Sequence, residues 1–175
     1  VANLDPAQLQ PWVSELASAR QQNFYKDRPL FRCLPNGPET ESSGGWKRLI
    51  QTPATIVILN EDLTYRVIHM DGRELEADPI PSFTGYSVGH WEGDTLVIDS
   101  VGFNEDFWFG RRGLPHTEQL HTIEHFTRYN SDRIDYKITI DDPGAYTAPY
   151  TGGFNLRWSD GTELFEYVCQ QANYA

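Results

Sequence analysis

At 175 residues the chain is long enough for one domain with a sizeable core. Its 25 acidic against 14 basic residues give a net charge of −11, which opposes binding to nucleic-acid phosphates and to anionic membrane surfaces. No apolar run reaches the length of a membrane span. The opening VANLDPAQ reads like a mature start after removal of a signal peptide, which predicts an exported, periplasmic or extracellular protein.

In chain order, LDPAQLQPWVSELASARQQ predicts a helix. Asp5 is a good N-cap, Pro6 suits the first helical position and Pro11 restarts or kinks the helix. Trp12, Leu16 and Ala19 make one apolar stripe. Lys26 to Gly45, rich in Pro, Gly and Ser, predicts a loop that wraps the body rather than a linker between two cores. Residues 1–45 are thus a helix and wrapping loop, and 46–175 a β-barrel domain, together one structural unit. From Trp46 the period becomes two. Ile56 to Leu59 predicts a buried strand, and Tyr65 to Met70 a second that Asp71-Gly72 ends. Three hairpins follow: Phe83–Trp91 with Thr95–Phe103 around Glu92-Gly93-Asp94, Leu120–Tyr129 with Ile134–Ile140, and Phe154–Trp158 with Glu163–Val168 around Asp160-Gly161. The sum is about eight or nine strands, nearly all antiparallel. They predict a mainly β fold, an up-and-down barrel of calycin type with the N-terminal helix across one end. A two-sheet sandwich is the alternative.

Turn length decides which residues share a face. An even loop between Tyr129 and Ile134 pairs Arg128 with Asp135, His125 with Ile138 and His121 with Asp142. It turns Tyr136, Ile138 and Ile140 inward with His121 and His125, and sends Glu124 to solvent. An odd loop puts Glu124 inward in place of the histidines. The even register separates charge from apolar groups and is the expectation. In the first hairpin either face fits the interior: Ser87, Gly89 and Trp91 with Leu96 and Ile98, or Tyr86, Val88 and His90 with Val97 and Asp99.

This register makes His121 a candidate general base oriented by Asp142, with His116 as the acid at the same mouth. Tyr136, His125, His90, Trp91, Trp108 and Tyr146 are candidates to line a ligand pocket. A metal site is not expected. H-x4-H-x3-H over His116, His121 and His125 is no zinc pattern, and His121 and His125 stand about 13 Å apart along a strand. No phosphate loop is present, and GYSVG (Gly85–Gly89) places Ser centrally without the strand–turn–helix context of a nucleophile elbow. Cys33 and Cys169, near opposite ends, predict a disulfide in an exported protein.

GHWEGDTLVIDSVGFN (Gly89–Asn104), PHTEQLH (Pro115–His121) and IDDPGAY (Ile140–Tyr146) resemble the signature blocks of a widespread, largely uncharacterised family of small exported bacterial β-rich proteins. The resemblance runs from about Arg32 to Asn173. It implies an exported, lipocalin-like protein by analogy. The chain departs from that pattern in CLPNGPETESSGG (Cys33–Gly45), where the family tends to carry an Arg after a Pro.

Two function classes remain. One is a cofactor-independent lyase, isomerase, cyclase or hydratase that uses acid–base chemistry on a mostly apolar small molecule. The other is a lipocalin-like binder of a small hydrophobic or aromatic ligand. Polar groups on inner strand faces favour the enzyme. Neither class requires nucleic acid or membrane insertion, and oligomeric state is not legible.

Overall fold

Asp5 accepts from Ala7 N at 2.9 Å, and Gln8 Oε1 accepts from Asp5 N at 3.2 Å, a capping box that starts a single 3-10 turn, Pro6–Gln8. Pro11 then opens helix α1, Pro11–Gln22. In the computed structural model, which describes residues 4–38, 45–110 and 113–169, α1 is the single α-helix among the described residues. The expected apolar stripe is shifted by one position. Val13 is the buried residue, with Ala17 packed against the core, while Trp12 lies at the rim with its Nε1–H on Gly144 O at 3.0 Å. An indole needs a partner for its N–H, and the rim supplies one.

The strands are β1 (Lys47–Gln51), β2 (Thr55–Asn60), β3 (Tyr65–His69), β4 (Tyr86–Glu92), β5 (Thr95–Val101), β6 (His121–Arg128), β7 (Arg133–Asp141) and β8 (Tyr150–Arg157). They lie side by side in chain order in one sheet, curled into a half-barrel with the N-terminal helix. Alternation writes this curl into the sequence. On the concave face, Ile56, Ile58, Ile68, Leu96, Ile98, Phe126, Ile138 and Ile140 are all buried. Each such side chain contributes roughly 1.5–3 kcal/mol on full burial. Gly93, with φ 60°, supplies the positive φ that the tight Glu92–Thr95 hairpin needs.

Two parts of the meander differ from expectation. β3 and β4 pair parallel, Ile68 with Ser87 and His69 with Val88. The Pro-rich stretch over 70–85 carries the chain back across the sheet, as a parallel connection requires. The last hairpin does not form: residues 163–168 are not a strand, although the Ser159 and Thr162 hydroxyls meet at 2.9 Å where the turn was expected. The segment is drawn from β8 toward β1 instead. Glu163 reaches Arg48 on β1 at 2.7 Å, and Cys169 is joined to Cys33 with a Cα–Cα distance of 5.7 Å. The expected disulfide is therefore present, tying this C-terminal strap to the N-terminal region. No helix among the described residues is long and apolar enough to cross a membrane.

The β6–β7 register is the odd one. Arg128 pairs with Ile134, Phe126 with Tyr136, Glu124 with Ile138 and His121 with Asp141. The turn over residues 129–133, closed by Tyr129 N on Arg133 O at 3.0 Å, sets it. β7 keeps its expected inner face, but every β6 side chain is reversed: Thr122, Glu124 and Phe126 point inward, and His121 and His125 outward. In the β4–β5 hairpin the inward set is Ser87 with Leu96 and Ile98.

Candidate functional site

Three groups of polar side chains stand out. The first lies inside the half-barrel. Arg66, from β3, and Glu124, from β6, are 1% and 0% exposed and touch directly through Nη2 and Oε2. Arg66 also donates to Ser87 Oγ at 3.0 Å and to Ser100 Oγ at 2.7 Å, and Ser100 Oγ donates to Ser87 Oγ at 2.9 Å. Tyr136 OH donates to Glu124 Oε1 at 2.7 Å, its ring held between Phe126 and Phe154 at 4.7 Å from each. A buried ion pair of this kind is sustained only when hydrogen bonds satisfy its remaining donors and lone pairs, and the two serines and the tyrosine contribute to that. Tyr136 is inside, as expected. Ser87 is one of the residues bonded to Arg66 within a strand, so GYSVG is no nucleophile elbow.

The second group is on the outer face of β4, β5 and β6. His121 is paired with a carboxylate, but with Asp99, not Asp142: its Nε2 is in direct contact with Asp99 Oδ1. The reversal of β6 explains the exchange, since Asp99 is opposite Ile123 and so shares the outer face with His121. Side-chain exposures of 33% for His121 and 39% for Asp99 leave the pair reachable. Nε2 faces the carboxylate, and Nδ1 has no hydrogen-bond partner among the described residues. His125, four residues on along the same face, has its Nδ1 buried without a partner among the described residues. His90 is opposite Val97, which is opposite His125, so all three belong to this face; His90 is exposed and bonded to Glu92 at 3.0 Å.

The third group closes the end beneath α1. Asp142 is buried and fully engaged by backbone and hydroxyl: Thr117 N at 2.7 Å, Thr117 Oγ1 at 2.6 Å and Gly144 N at 3.2 Å. It fixes a turn and does not orient His121. Tyr146 OH donates to Pro115 O at 2.8 Å, and burial raises its pKa. His116 is buried, stacked on Phe107 at 3.8 Å and edge-on to Phe109 at 5.4 Å. Its Nε2–H donates to Asn104 O at 2.6 Å, so Nδ1 is the unprotonated nitrogen, without a partner among the described residues. His116 therefore does not stand on the outer face with His121.

Burial lowers the His116 pKa from its ordinary 6.5, against smaller raising effects from Asn104, Asp142 and Asp106. The folded state thus binds this proton less readily than the unfolded chain. Its contribution to stability is complete above about 6.5 and is lost as pH falls through that value toward the depressed folded one. Urea midpoints should decline on acidification below neutrality. His116→Gln, which keeps a donor for Asn104 O, should show a shallower decline over the same range.

Trp91 stands at the rim, 50% exposed, with no partner ring among those described. Trp108 lies beside α1 with the Arg20 guanidinium carbon 4.0 Å from its ring centroid. The structure thus gathers His90, His121 and His125 on one face, and places Tyr136 in the interior and His116, Asp142 and Tyr146 under the helix. Sequence reading missed Arg66, Asp99, Ser87 and Ser100 as site residues. For Arg66 a signal existed: it alternates with Ile68, so an inward Ile68 carries Arg66 inward too. Fold and site together define a half-barrel β protein with a sealed polar interior and a half-open His–Asp pair outside. No protein-family model, curated protein or solved structure matches the chain.

Proposed function

We propose that the protein is a small exported enzyme that moves protons on a mostly apolar small molecule, with His121 as the general base and Asp99 as its orienting carboxylate. One observation carries this reading: His121, the first residue of β6, is bonded through Nε2 to Asp99 of β5, and both side chains of the pair are partly exposed. Such an imidazole accepts a proton at Nδ1 while the carboxylate stabilises the imidazolium that forms. Returning the proton to another atom of the same molecule gives an isomerase. Returning it to a departing oxygen gives a lyase. Ile123, opposite Asp99 and half-buried, offers the apolar part of the surface. The disulfide and the resemblance to exported bacterial proteins support an oxidising, extracytoplasmic setting.

The test is turnover in a small-molecule extract of the producing cells, followed by untargeted mass spectrometry. Wild-type protein is expected to transform at least one compound, and His121→Gln to lower that rate by about 10²–10⁴-fold. Asp99→Asn should lower the rate while leaving the fold intact. Binding of extract compounds without any transformation would instead make the protein a lipocalin-like carrier.

A further inference from the structure

α1 ends in a tight reversal. Tyr25 N donates to Arg20 O at 2.8 Å, and Phe24 and Tyr25 both adopt φ 54°, a left-handed conformation that bulky residues rarely hold. The reversal brings Tyr25, Lys26 and Asp27 round to face Leu16, Ala19, Arg20, Asn23 and Trp108 across a groove of about 330 Å³. That volume is at the small end of ligand sites, roughly 300–1,000 Å³.

The groove has a cationic wall in an acidic protein. Arg20 is anchored by Nη1 on Gly113 O at 2.6 Å and by its stack on Trp108, and its other donors have no hydrogen-bond partner among the described residues. Burial lowers its pKa to about 10, so it stays charged at neutral pH. Lys26 makes no ion pair among the described residues. The one lining carboxylate, Asp27, is already bound by Arg32 at 3.1 Å and Asn23 at 2.9 Å. Leu16, Ala19 and the rings of Tyr25 and Trp108 supply apolar surface beside the two cations.

We propose that this groove binds a small flat carboxylate, an aromatic acid of one or two rings. The carboxylate would take the free donors of Arg20 and the Lys26 ammonium, the geometry for which a pre-anchored guanidinium is suited. The ring would lie on Leu16 and Ala19 alongside Tyr25 and Trp108. The site is built from α1, its C-terminal turn and Trp108, not from the His121–Asp99 face, so it does not depend on the catalytic proposal.

The test is a titration of the full chain with 1-naphthoate, and with 1-naphthalenemethanol as the uncharged control. It follows the Trp108 indole N–H resonance, assigned with Trp108→Phe. A saturable shift with naphthoate is expected, and about tenfold or more weaker binding of the alcohol. Lys26→Glu should weaken naphthoate binding by a similar factor. Arg20→Met should weaken it further; if that variant proves unfolded by circular dichroism, Lys26→Glu alone decides. Absence of a saturable shift, equal binding of acid and alcohol, or wild-type affinity in Lys26→Glu would each overturn the proposal.

Discussion

Glu124→Ala is expected to destabilise the protein by about 3–5 kcal/mol, read as a shift of the urea midpoint at neutral pH. The removed carboxylate takes from the buried Arg66, 1% exposed, its direct contact with Glu124 and from Tyr136 OH the acceptor Oε1, while the bonds of Arg66 to Ser87 and Ser100 remain. An uncompensated charge in a dry interior costs far more than the lost contact itself. The pair's own net worth is much smaller, because two ions had to be desolvated to form it. Arg66→Met combined with Glu124→Leu should therefore recover most of the loss, since Ser87 and Ser100 still hydrogen-bond each other. A Glu124→Ala variant within about 1 kcal/mol of wild type would show that water or another group satisfies Arg66, and that the interior is not sealed.

Replacing Cys33 and Cys169 with serine is expected to cost about 2–5 kcal/mol. The bond closes a sequence separation of 136 residues, so it removes much freedom from the unfolded chain. Among the described residues, little else fastens the strap. Its link to β1, Arg48 with Glu163, is exposed at both ends and contributes little, and Phe165 and Val168 lie largely in solvent. The loss should therefore appear with reductant alone in the wild-type protein, and reductant should leave the double-serine variant unchanged. Equal midpoints with and without reductant would contradict this.

Much of the fold was legible because periodicity and turn chemistry act locally. Pro11 and Asp5 mark the helical start, Gly93 the β4–β5 turn, and the alternation of Ile134, Tyr136, Ile138 and Ile140 the inner face of β7. What failed was non-local. Local patterning favours the β6 register that keeps Glu124 out of an apolar interior, but the group that compensates it, Arg66, comes from β3, three strands away in the sheet. Asp99 was missed for the same reason, since its partner follows from the β5–β6 pairing and not from neighbours in the chain. The final hairpin has the alternation of a strand, but the disulfide and Arg48 draw that segment away from β8. The expected pair of His121 with Asp142 inside the cavity does not form: Glu124 takes the inner face, and His121 lies on the outer face bonded to Asp99.

Proton transfer at His121 is tested most directly by isotope exchange. Wild-type protein, incubated in D₂O with the extract or with the substrate identified from it, should place solvent deuterium at a carbon position of substrate or product, detected as a one-dalton gain. His121→Gln should lower that incorporation by about 10²–10⁴-fold, with Asp99→Asn between the two. Incorporation, or turnover, that persists at the wild-type rate in His121→Gln would contradict the role given to this pair.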